Sequence, residues 1–177
     1  MFERKSMEAL GRKSRDEAKT AAKLPIILIL DDVRSMHNVG SAFRTADAFG
    51  VEAIYLCGYT PAPPHRDIRK TALGAEDTVH WQHFSSIRAA IEDVKNKGYL
   101  VAAVEQAHNS IALQAYQWEQ QPLALIFGNE VDGVSDEGLG AADQCIEIPQ
   151  TGSKHSLNIS VSAGVVIWEL VRNNMNG

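Results

Sequence analysis

Residues 146–170 read IEIPQTGSKHSLNISVSAGVVIWEL, and the conformation of this stretch decides the architecture of the whole chain. It joins a loop with Pro149 and Gly152 to a polar Ser156-Leu157-Asn158 step, then runs through Trp168 without an ionisable side chain. Leu157, Ile159, Val161, Ala163, Val165 and Ile167 alternate with Ser156, Asn158, Ser160, Ser162 and Gly164. Strict alternation is the mark of a half-buried strand. A strand of this length would be about twice the common 5–6 residues. Read as a helix, the segment puts small or apolar side chains on every face and requires burial nearly all round. On periodicity alone it is a strand. In either form it needs covering, by its own core or by a second subunit. The loop before it offers backbone N–H groups and a hydroxyl to a ligand.

Before this stretch, strand-like and helix-like runs alternate along the chain. Residues 26–31 (IILILD) form an apolar run that stops at Asp31-Asp32, as a buried parallel strand does. Residues 39–49 place Val39, Phe43, Ala46 and Phe49 on one helical face, with Gly50 as the stop. Further strands are predicted at 53–57, near 78–81, and at 99–104, 123–127 and 144–148, with a helix at 85–97 and a proline-rich loop at 59–65. This alternation predicts an α/β fold with a mostly parallel sheet flanked by helices.

Composition is that of an ordinary globular protein: 177 residues, 45% hydrophobic and 22% charged. No run approaches the roughly 20 apolar residues of a membrane span, and the charged start MFERKSMEALGRKSRDEAK is unlike a signal peptide. Cys57 and Cys145 lie in apolar runs and read as thiols of a reducing compartment, so the expected location is the cytoplasm. The net charge of −5 is unevenly spread: residues 1–23 carry +3 and the remainder −8. Residues 1–23 are therefore read as a basic helical arm, and 24–177 as one domain. Both a solvated helix with internal charge pairs and a phosphate-binding arm fit that arm.

Ligands of α/β sheets bind at strand ends. Three predicted strand ends here carry glycine with polar or charged groups: DDVRSMHNVGSAFR, GNEVDGVS and PQTGSKHSLN. Together they predict a composite pocket. There is no G-x-G-x-x-G after a strand, no P-loop, no H-E-x-x-H and no G-x-S-x-G. His80-x-x-His83 has no carboxylate neighbour, so no metal is expected.

Asn38, Gly40 and Arg44 as N-x-G-x-x-x-R, residues 128–130 as G-N-E, and residues 148–158 as I-P-Q-x-G-x-x-x-S-L-N resemble, in order and spacing, the three motifs of the TrmH (SpoU) branch of SPOUT methyltransferases. RKTALGAE (69–76) is similar to the family's interior segment, and the resemblance covers roughly residues 24–172. It implies a deep C-terminal trefoil knot, a tight homodimer, S-adenosyl-L-methionine (AdoMet) as methyl donor with S-adenosyl-L-homocysteine as product, and an RNA ribose 2′-hydroxyl as acceptor. It puts tRNA first and rRNA second, and implies that residues 156–172 are a helix, against their alternation. Alternatives are an RNA-binding protein of this fold without catalysis, another class of nucleotide-binding enzyme, and base methylation.

By the same resemblance Arg44 stands beside the acceptor ribose. A guanidinium has a pKa above 12, so using it as a base near neutral pH costs on the order of 7 kcal/mol. Positioning the ribose-phosphate and stabilising alkoxide charge are the better roles. Asn38, which also suits a helix cap, would hold the nucleotide or Arg44, Glu130 would orient Arg44 or its loop, and Ser156 and Asn158 would line the site. Gly128, Ile148 and Leu157 would hold the adenosine, with Glu105 at the cofactor rim. Arg34, His37, Arg66, Arg69, Lys70, Lys154 and His155 would line the RNA path.

Overall fold

The computed structural model describes residues 2–6, 9, 11, 14–153 and 156–172. Short helix α1 (Arg15–Thr20) starts at a capping box, in which the Ser14 hydroxyl accepts the Glu17 N–H and the Glu17 carboxylate accepts the Ser14 N–H. Seven strands follow: β1 (Leu24–Asp31), β2 (Val51–Cys57), β3 (His80–Phe84), β4 (Leu100–Val104), β5 (Ile111–Ala112), β6 (Leu123–Phe127) and β7 (Gln144–Glu147). They form one sheet in the order β3-β2-β1-β6-β4-β7-β5. Every pairing in it is parallel.

The helices are α2 (Met36–Phe49), α3 (Arg66–Ala72), α4 (Ile87–Asn96), α5 (Asp136–Ala141) and α6 (Ile159–Arg172). The two-residue period of a strand sends alternate side chains of β1 to opposite faces. Ile26, Leu28 and Leu30 pack on the face covered by α2, α3 and α6, together with Phe43, Ile68 and Ala163. Ile27 and Ile29 pack on the other face with Ile87, Ile91 and Val94 of α4. Both faces being dry, β1 reads as an unbroken apolar run.

Several sequence readings shift. The stretch that alternates like a strand is the helix α6, beginning at Ile159 after a three-residue lead-in. Its buried residues, Ile159, Ala163, Val166, Ile167, Leu170 and Val171, follow helical spacing. Val161, Val165 and Trp168 form a second, exposed apolar stripe. The two stripes overlaid in one dimension imitate alternation.

β3 lies at 80–84, beyond the predicted 78–81, because it is a sheet edge with mostly exposed side chains and no apolar pattern. β5 was not predicted; two residues are too few to carry a period. α2 starts at Met36 and not at 39, with the Ser35 hydroxyl accepting the Asn38 N–H as its cap. Among the described residues no helix is long and apolar enough to cross a membrane.

Candidate functional site

Parallel strands bring the ends of β1, β4, β6 and β7 to one edge of the sheet. A cavity of about 410 Å³ opens there. Its walls include Glu105 beyond β4, Gly128 and Glu130 beyond β6, Ile148 beyond β7, and Ser156, Leu157 and Asn158 leading into α6. Seven of the expected site residues thus share one cavity, but only two of the three expected turns, those at 128–133 and 148–158, line it together with the end of β4; the turn after β1 contributes no lining residue.

The wall at 128–135 is built from its own hydrogen bonds. Asn129 and Gly133 exchange backbone bonds at 3.0 and 3.2 Å. The Asn129 side-chain oxygen accepts the N–H groups of Val131 and Asp132 at 2.9 and 2.8 Å. Gly133 adopts φ +72°, and a Cβ there would run into the Glu105 carboxylate. A Cβ on Gly128 would overlap the Gly133 and Val134 backbone, so the strand end and the turn touch main chain to main chain.

Two carboxylates then anchor successive amides. Glu105 Oε2 accepts from Val134 N at 3.0 Å, and Asp31 Oδ2 accepts from Ser135 N at 2.9 Å. Asp31 is only 3% exposed. Asp31 is a functional residue that the motifs do not mark; its signal in the sequence is the acidic pair Asp31-Asp32 closing an apolar strand at the ligand end of the sheet.

A polar chain links the three turns. Glu130 Oε1 accepts from Asn38 Nδ2 at 2.7 Å and from Ser35 N at 3.3 Å, while Oε2 accepts from Arg34 N at 3.3 Å. Asn38 Oδ1 accepts from Asn158 Nδ2 at 3.0 Å. Asn158 Oδ1 in turn accepts from Ser160 N at 2.9 Å, and its carbonyl from Val161 N and Ser162 N, which opens α6. Burial by itself pushes the Glu130 carboxyl up. The donors from Asn38 and from the amides of Glu130, Arg34 and Ser35 outweigh it and hold the group below the ordinary carboxylate range.

Arg44 is placed elsewhere. It lies six residues after Asn38, about 9 Å along α2 and roughly 240° around it. It is exposed and lines a second groove with Arg15, Asp47, Phe49 and Leu73. Glu130 binds Asn38 and the β1–α2 turn, and no bond joins it to Arg44 among the described residues.

The expected RNA cations divide. Arg34 and His37 stand exposed on the β1–α2 segment. Arg66 and Lys70 face Asp67 at 3.8 and 2.6 Å, and Arg69 reaches Glu76 and Asp77 at 3.1 and 3.8 Å. Lys154 and His155 fall outside the described residues. His80 and His83 lie on the exposed edge strand, and among the described residues no group of three or more His, Cys, Asp or Glu could hold a metal ion.

Comparison with known proteins gives a consistent result. Residues 25–168 match the SpoU rRNA Methylase family. The chain is 32% identical over 173 residues to the 23S rRNA (guanosine-2'-O-)-methyltransferase RlmB of Vibrio cholerae, covering 97% of this chain and 68% of that protein. It therefore spans about two thirds of the length of such relatives. The A. aeolicus TrmH/SpoU tRNA modifying enzyme superposes with a TM-score of 0.79 at 27% identity, over 92% of this chain and 81% of its own. An AdoMet-bound rRNA methyltransferase from Sinorhizobium meliloti superposes with a TM-score of 0.79 at 28% identity, over 92% and 61%.

Proposed function

The chain belongs to the SpoU rRNA Methylase family of RNA methyltransferases, and on that premise we propose that it methylates a ribose 2′-hydroxyl of ribosomal RNA, with AdoMet as donor. The observation that carries this is the single cavity uniting Gly128, Glu130, Ile148, Ser156, Leu157 and Asn158 from separate turns. The naming of relatives as 23S rRNA enzymes supports rRNA over tRNA as the acceptor in this reading. tRNA, the first acceptor expected from the sequence, becomes the second, supported by the likeness to the tRNA modifying enzyme.

The residues present suit AdoMet. A volume near 410 Å³ lies within the roughly 300–1,000 Å³ of small-ligand sites. Ile148 and Leu157 offer apolar surface to an adenine, and the turn at 128–133 offers main-chain groups. Glu105, Glu130 and Asp132 line the cavity, with no Lys, Arg or His among its described lining residues. Such a wall favours a cationic ligand and repels phosphates, which separates AdoMet from ATP and NAD. When bound, AdoMet supplies a methyl group already activated on a sulfonium.

Glu105 and Asp31 hold the cofactor wall, while Glu130, Asn38 and Asn158 keep the three turns in register. Arg44, outside the cavity, serves the RNA side by positioning the ribose-phosphate and stabilising developing negative charge. A homodimer formed on the exposed stripe of α6, a trefoil knot at the C-terminal turns and action in the cytoplasm belong to the same proposal. Calorimetry with AdoMet, ATP and NAD, followed by transfer of labelled methyl to rRNA and tRNA transcripts, tests it. AdoMet alone is expected to bind and rRNA to gain more label. Binding of ATP or NAD without AdoMet would overturn it.

A further inference from the structure

From Leu24 onward, among the described residues, every Lys and Arg except Arg34 and Arg44 is paired with a carboxylate. Arg69 is the most firmly held of the expected RNA cations. Its Nε donates to a Glu76 carboxylate only 5% exposed, which also accepts Gly74 N–H at 3.0 Å. Turning Arg69 toward a phosphate would strand that carboxylate without its cation, a costly exchange. Lys70 and Arg66 share Asp67, whose charge offsets theirs at the surface.

Arg34 differs on each count. It is exposed and its side chain has no protein partner among the described residues, so meeting a phosphate breaks no existing bond. Its own N–H donates to Glu130, which places it one residue before the α2 cap and next to the Glu130–Asn38–Asn158 chain. His37, also exposed, follows on the first turn of the helix. The surrounding chain, residues 24–177, carries −8, so an unpaired cation at the edge of the site has a large share in attracting RNA.

We infer that Arg34, flanked by His37, is a further phosphate contact of the RNA site, in addition to Arg44, and that Arg66, Arg69 and Lys70 serve the fold. The inference rests on the RNA reading of the preceding subsection. A phosphate contact fixes register and affinity without choosing sequence, so Arg34 aligns the acceptor strand and leaves base preference to other groups.

The test is equilibrium binding of a 23S rRNA transcript to the full chain across a salt series, comparing Arg34→Ala, Arg34→Lys and Lys70→Ala. For Arg34→Ala the affinity is expected to fall roughly three- to ten-fold near 0.1 M salt, with the log–log salt slope reduced by about 0.7–0.9. Arg34→Lys restores the slope, and Lys70→Ala leaves it at the value of the unchanged protein. An unaltered slope in Arg34→Ala, or an equal loss in Lys70→Ala, overturns the inference. Binding is read without methyl transfer, so absence of RNA methylation by the unchanged protein counts against the proposed function and not against Arg34.

Discussion

Glu130 gathers the Arg34 and Ser35 amides and the Asn38 side chain on one carboxylate, and Asn38 passes the link to Asn158. Replacing Asn38 by Ala cuts this chain at its middle. Misplacement on the scale of an ångström costs catalysis about a hundred-fold, so RNA methylation is expected to fall by that order, in kcat more than in KM for AdoMet. The Glu130 carboxyl is held low, so its stabilising contribution is present above the unfolded value of about 4.3 and is lost as pH falls through the folded value. Melting temperatures of Glu130→Gln are expected to vary less with pH below about 4.3 than those of the unchanged protein. Parallel melting curves would remove the linkage. Arg44→Ala separates the two ligands of the site: because Arg44 stands outside the cavity, AdoMet affinity by calorimetry should persist while methyl transfer drops roughly a hundred-fold or more. At this scale the motif residues were legible from their order along the chain, but their partners were not. Glu130 holding Asn38 spans 92 positions and Asn158 holding Asn38 spans 120, distances that no local pattern encodes.

Among the elements, the 128–135 turn and α6 show the limits of periodicity most clearly. Gly128 admits no side chain because the Gly133–Val134 backbone lies against it, whereas the space beside Gly140 in α5 is open. Gly128→Ala is therefore expected to destabilise the protein by about 1–3 kcal/mol through overpacking and to weaken AdoMet binding. Gly140→Ala should be neutral or stabilise it by roughly 0.5–1 kcal/mol. Chemical denaturation of both variants, with calorimetry of the first, checks the contrast. For α6, a rule that scores one period at a time sees alternation where two apolar stripes coexist, one packed on the core and one exposed. Length pointed away from a strand, and the motif resemblance gave the helix its place. The edge strand β3 was mislocated for the opposite reason: it buries too little for an apolar pattern to arise.

For the whole molecule, the parallel sheet was readable because its central strands are dry on both faces and alternate with helices. What one chain leaves open is the stripe of Val161, Val165 and Trp168, with Val161 and Trp168 50% and 51% exposed. Self-association through this stripe is part of the proposal, and Val161→Glu is expected to convert a dimer to a monomer in light scattering at micromolar concentration. A monomeric unchanged protein would count against it. Ribose methylation itself is read most directly by incubating the chain with labelled AdoMet and a 23S rRNA transcript, then digesting the RNA to nucleosides and locating the label by mass spectrometry. The expected product is a nucleoside carrying the methyl on its ribose 2′-oxygen. Label on a base, or no label on RNA from a protein that binds AdoMet, would contradict the proposed reaction.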